Sequence, residues 1–120
     1  MDGRLISPRL ADILEAIAHI RSVLNGVPLE VFEGDWQKRW LVERGVEIIS
    51  EASRYIPDEV KARHPGIPWV KVASIGNVLR HAYDRTAPDI LWKLACDELS
   101  PLEATCRAEY DAAIAREQEI

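Results

Sequence analysis

Apolar residues recur every three or four positions in one segment of this chain after another, and nowhere alternate as in a half-buried strand. Leu10, Ile13, Leu14, Ile17, Ile20 and Leu24 form one such stripe, opened by Ser7-Pro8 and closed by Asn25-Gly26. A loop is expected from there to Asp35, whose carboxylate suits the N-cap of a second helix running to about Ile56. Trp36, Trp40, Val42, Val46, Ile49, Ala52 and Ile56 make up its expected buried face, and Pro57 ends it. One more turn at 58–61 and a rigid connector holding Pro65, Gly66 and Pro68 precede a third helix starting at Pro68-Trp69. Thr86-Ala87-Pro88-Asp89 opens a fourth helix to about Leu99, and Ser100-Pro101-Leu102-Glu103 is a capping-box start for a fifth. The expected fold is all-α, an antiparallel bundle of about five helices joined by short links.

At 120 residues the chain is expected to form a single domain over 1–120, with 48% apolar and 29% charged residues as in ordinary globular proteins. It shows neither an export signal at Met1–Ser7 nor a long apolar run, so a cytoplasmic protein outside the membrane is expected. Cys96 and Cys106 lack CxxC spacing, and His19, His64 and His81 lack the spacing by which a helix presents metal ligands. No disulfide, metal site or cofactor is expected. The net charge of −5 argues against high-affinity nonspecific binding of DNA or RNA, while leaving room for a localised basic pocket that acts on RNA.

Chemistry concentrates in the third helix. Ile75, Val78, Leu79 and Ala82 fall on one side, and Asn77, Arg80, His81, Asp84 and Arg85 on the other. With Tyr83, the two turns around His81 bring together an amide, a guanidinium, an imidazole and a phenol. A solvated polar helix face is the plain alternative to a site, since clustering alone is only a statistical pointer.

His81 and Tyr83, separated by one residue, and Asn77 before them resemble the Arg, four to six residues, His, one residue, Tyr signature of the HepT-like HEPN ribonucleases. Val46–Ala52 resembles that family's second-helix segment, Ile67-Pro68-Trp69 its pre-motif turn, and Pro88–Trp92 its following helix. The resemblance extends from the first helix to about Leu102. It implies a HEPN-like fold and a metal-independent endoribonuclease toxin of a bacterial toxin–antitoxin pair. Implied with it are a homodimer with a composite His81 site, an RNA substrate, and an MNT-type nucleotidyltransferase antitoxin that silences the toxin by AMPylation of Tyr83. Asn77, Arg80 and His81 are the candidate catalytic residues and Arg85 a candidate phosphate ligand.

In one place the chain departs from the signature. The family's arginine would fall at Gly76, Ile75 or Ser74, none of them basic. That leaves a relocated cation, Arg80 first and Arg85 second, or a relative that no longer cleaves and serves a nucleotidyltransferase as partner or substrate. Residues two apart on a regular helix point about 200° apart, so Tyr83 belongs at a helix end if it shares a pocket with His81.

The remaining features read as structural. His19 is expected to be a packing or surface residue and His64 a solvated loop residue. Trp36, Trp40, Trp69 and Trp92 are expected in a core or an interface. Glu47, Glu51, Asp97 and Glu98 form no paired acid–base motif.

Overall fold

The computed structural model describes residues 5–81 and 87–118, with side chains over 5–77 and 89–118. Among the described residues seven helices run in chain order: α1 (Ser7–Leu24), α2 (Leu29–Gly34), α3 (Trp36–Ser53), α4 (Asp58–Ala62), α5 (Trp69–His81), α6 (Ala87–Asp97) and α7 (Leu99–Gln118). The described residues contain no strand, so the all-α bundle expected from periodicity is the fold.

Helix α1 is the central element. Its stripe of Leu10, Ile13, Leu14, Ile17 and Ile20 is buried against α3 on one side and α7 on the other. From α3 come Val42, Val46, Ile49 and Ala52, and from α7 Leu102, Cys106 and Ala113. Burying each leucine, isoleucine or valine among them stabilises the fold by roughly 1.5–3 kcal/mol, which is what holds helices with little intrinsic stability in place. The α1–α3 crossing is close because Gly45 has no side chain: a Cβ there would lie 2.7 Å from Cγ1 and 2.8 Å from Cδ1 of Ile20. Ile20 is itself fully packed and has nowhere to retreat. Gly45→Ala should therefore lose about 1 kcal/mol in urea unfolding, because overpacking of about 2 kcal/mol outweighs the gain of about 1 kcal/mol in helix propensity.

Caps and breaks fall largely where the sequence places them. Asp35 accepts a hydrogen bond from the Lys38 backbone N–H at 3.0 Å. That bond is the main cause holding its carboxyl below the usual range. Gly26, with φ +72°, takes the left-handed conformation after α1 that a Cβ would strain.

Other details correct the expectations. Ser7 does not cap α1; its hydroxyl donates to Glu117 of α7 and so ties the two ends of the chain together. The stretch to Asp35 is not wholly loop, since Pro28 starts the six-residue α2, whose Phe32 is fully buried. Helix α7 begins at Leu99, ahead of the Ser100-Pro101 start, because proline is tolerated in a first turn. Trp36 and Trp40 do not continue the buried face of α3: they are 54% and 65% exposed. Val42, Val46 and Ile49 define that face, and at about 100° per residue both tryptophans fall well round the helix from it.

Candidate active site on helix α5

Helix α5 carries the motif, and two sets of contacts decide where it lies. The first fixes its start. Arg63 donates from Nε (3.2 Å) and Nη2 (2.8 Å) to the two carboxylate oxygens of Glu109 on α7, and His64 Nε2 lies 2.7 Å from Oε2 of the same carboxylate. The His64 carbonyl in turn accepts from the Ile67 backbone N–H at 3.1 Å and from the Trp69 indole at 3.0 Å. Glu109 thereby pins the turn from which α5 springs. Its carboxyl is held down at about 2, chiefly by the Arg63 hydrogen bond, against the opposing effect of its burial. His64 is thus not the solvated loop residue its sequence position suggests.

The second set fixes the crossing with α3. The Ala73 carbonyl accepts from the Ser50 hydroxyl (2.6 Å) and from Nε (3.2 Å) and Nη2 (2.9 Å) of Arg54. One turn later a Cβ on Gly76 would come 3.3 Å from both Cβ and Oγ of Ser50 and 3.7 Å from the Glu47 Cα. Rising residue numbers on α5 thus meet falling numbers on α3, so the helices run antiparallel. Position 76, one of the three at which the signature's arginine could fall, is a buried and tight helix-crossing contact.

Asn77, immediately beyond the crossing, is exposed. Arg80 and His81 form the last turn of α5, and Tyr83 and Arg85 lie outside the described residues. Val70, at 86% exposure, and Ser74 share with Asn77 the outward side of α5, and positions 70, 74, 77 and 81 follow the spacing of one helical stripe. On α3, Glu43 lies one turn before Glu47, level with the last turn of α5. Its carboxyl is pushed up by burial, with Arg39 opposing and Glu47 reinforcing the shift.

The other candidates fall away from this region. A cavity of about 220 Å³ lined by Val46, Val72, Ile75, Leu94 and Leu102 lies along the first half of α5 and is apolar. Cys106 is buried, and burial pushes its thiol up to about 12, which leaves it inert as a nucleophile. Cys96 is exposed. His19 is an exposed surface residue. Among the described residues no three His, Cys, Asp or Glu side chains are grouped so as to hold a metal ion. Among them, too, no helix is long and apolar enough to cross a membrane.

Sequence reasoning did not find Glu109, Ser50 or Arg54. The glycine inside an otherwise helical pattern was the available signal for the crossing, because an interior helix glycine usually has a packing reason. Nothing in the local pattern links Glu109 to Arg63 and His64, which lie more than forty residues earlier in the chain.

Comparison with known proteins gives this arrangement its context. Residues 13–109 match the family described as Ribonuclease HepT-like. A protein of Thermococcus cleftensis named "Probable ribonuclease HepT" is 37% identical over 94 residues, which cover 78% of this chain and 86% of that protein. A relative in Methanocaldococcus jannaschii, named as an RNase with the same kind of reservation, is 29% identical over 103 residues, 86% of this chain and 94% of its own. One in Caldanaerobacter subterraneus, similarly named, is 29% identical over 96 residues, 80% of this chain and 86% of its own. No solved structure matches the chain. The match spans α5 and both helices that anchor it, α3 and α7 up to Glu109, and on that ground the chain belongs to the ribonuclease HepT-like family.

Proposed function

We propose that this chain is a metal-independent endoribonuclease, the toxin of a toxin–antitoxin pair, in which two His81 side chains of a two-fold dimer share one composite site. The observation that carries this reading is the outward stripe of α5. Val70, Ser74 and Asn77 are exposed, and position 81 continues their spacing along α5, a stripe that a second copy can meet.

The chemistry follows from what imidazole supplies near neutral pH. One His81 takes the proton of a ribose 2′-OH. The 2′-oxygen attacks the adjacent phosphorus, the bond to the 5′-oxygen breaks, and the other His81 returns a proton to that leaving oxygen. DNA lacks the attacking hydroxyl and is not a substrate. Negative charge building on the phosphorane needs a cation. With position 76 closed by the α3 crossing, that role passes to Arg80. It lies one turn later along α5, about 100° round the helix from His81, so it reaches the composite site from the partner subunit or by bending round, with Asn77 as an amide donor and Arg85 as a further phosphate ligand. Wild-type cleavage of RNA should thus persist in EDTA, whereas Arg80→Ala should slow it by roughly 10²-fold, the low end of the range for losing one charge-stabilising donor. Full activity in Arg80→Ala would move the role to Arg85.

Control by an MNT-type nucleotidyltransferase acts on Tyr83. Transfer of AMP from ATP to the phenol oxygen releases pyrophosphate and puts a phosphate charge beside the arginines an RNA phosphate must use. Mass spectrometry of the chain co-expressed with an ATP-active nucleotidyltransferase partner should find AMP on the Tyr83 peptide, and an unmodified peptide rejects this control. The second reading, a non-cleaving HEPN-fold partner or substrate of that enzyme, is favoured by the absence of a basic residue at Ser74, Ile75 and Gly76 and predicts no cleavage at any protein concentration.

A further inference from the structure

At the start of α3 the segment Trp36-Gln37-Lys38-Arg39-Trp40-Leu41-Val42-Glu43-Arg44 carries three basic residues and one acidic one, in a chain whose net charge is −5. Trp36 and Trp40 are paired edge to face, with ring centroids 5.0 Å apart and planes inclined at 75°. Being 54% and 65% exposed, they leave ring faces open to solvent. The other two tryptophans are partly buried and spend their indole N–H groups on the His64 and Val27 carbonyls.

The cations around the pair differ in how far they are committed. Lys38 is paired with Asp35 at 3.2 Å. Arg39 donates to the Glu33 carbonyl, and its charge is shared only at longer range with the Glu43 carboxylate. Arg44, 72% exposed, is only loosely paired with Glu47 at 3.8 Å. Trp36, Trp40 and Arg44 lie four residues apart in succession and so share one face of α3.

The antiparallel crossing sets the position of that face. Trp40 precedes Glu47 by about 10 Å along α3, and His81 follows Gly76 by about 7 Å along α5. Because Glu47 and Gly76 touch, the tryptophan pair stands at the His81 end of the bundle.

We infer that Trp36 and Trp40 form a stacking platform for unpaired bases of a single-stranded RNA, with Arg39 and Arg44 holding the flanking phosphates. The inference rests on the ribonuclease reading and adds the substrate class: single strands, gripped beside the scissile bond. Aromatic faces with neighbouring guanidinium groups bind single strands because every base has a π-face, and stacking is tolerant of sequence. The guanidinium groups of Arg39 and Arg44 beside the exposed rings favour this occupant over a hydrophobic protein surface.

The test uses the full chain with a short 2′-O-methyl oligoadenylate, which has no free 2′-OH to attack, and an abasic strand of the same length and charge. Wild type should bind the base-bearing strand more tightly, with quenching of tryptophan fluorescence. Trp36→Ala and Trp40→Ala should each weaken that binding at least ~5-fold, about 1 kcal/mol per stacked base. Neither should change abasic-strand binding, and Trp40→Phe should retain most of the preference. Both side chains are exposed, so the variants keep the core. Unchanged base preference in the double variant overturns the inference. So does a double variant that turns monomeric in light scattering while keeping its base preference, since the pair would then be a subunit contact. Cleavage of the unmodified strand is read separately in the same preparations, so failure of the ribonuclease reading shows there and not in the binding.

Discussion

His81→Ala is expected to lower the rate of RNA cleavage by roughly 10²–10⁴-fold, the usual contribution of a positioned acid–base group, with EDTA making no difference to wild type. The fold should survive. Helix α5 is anchored well upstream of His81, by the Glu109 clamp at its start and by the Ala73 carbonyl and Gly76 crossing at its middle. Alanine is also a better helix former than histidine, so circular dichroism of the variant should match wild type. Single-turnover cleavage of a labelled RNA measures the loss. Unchanged cleavage would remove His81 from the mechanism whatever the family membership implies.

The largest effect on stability is expected at Glu109. Its side chain is 9% exposed and receives both Arg63 donors and the His64 ring. Alanine there leaves these donors without an acceptor. Arg63 is half-exposed and can return to water, which reduces the loss below that of a fully buried pair, to about 2–3 kcal/mol. Thermal unfolding should fall by about 10 °C. The same carboxylate makes stability depend on acid. Its folded value, about 2, lies below its ordinary 4.5, so the stabilisation is present in full above the ordinary value and is lost as pH falls toward 2. On the order of 2 kcal/mol of wild-type stability should disappear across that window, and Glu109→Ala should lack that step. Urea unfolding at several pH values checks both. Equal acid sensitivity in the two proteins would show that Glu109 is not the group responsible. Because the clamp sets the start of the motif helix, cleavage by the variant should fail at the lower temperature at which it melts.

Much of this architecture was legible in the residues themselves. The three-and-four spacing of α1, the Asp35 cap, the Gly26 turn and the Pro68 start of α5 are local signals, and each lies where local physics puts it. Helix α2 was missed because six residues carry too little periodicity to register. The exposure of Trp36 and Trp40 was missed because a large aromatic at helical spacing ordinarily means burial, and the rule ignores which side the aliphatic stripe occupies. At the proposed site, Asn77, His81 and Tyr83 come from the motif and Arg80 and Arg85 are the candidate substitutes for its arginine, while the residues that aim the helix left no such signal. Ser50, Arg54 and Glu109 act across distances in sequence that no periodicity spans. The absent arginine was visible in the sequence, but its physical counterpart, a helix crossing closed over position 76, was not.

The central claim is a site built from two subunits with a histidine from each, and mixing wild-type protein with His81→Ala protein tests it most directly. The two chains should exchange freely, since the substitution leaves the fold intact, and light scattering of the mixture should report dimers. At constant total protein, a site that needs both histidines predicts cleavage falling as the square of the wild-type fraction, because mixed dimers are dead. A linear fall, with each wild-type chain keeping its full activity whatever its partner, would contradict the composite site and place all of the chemistry within one chain.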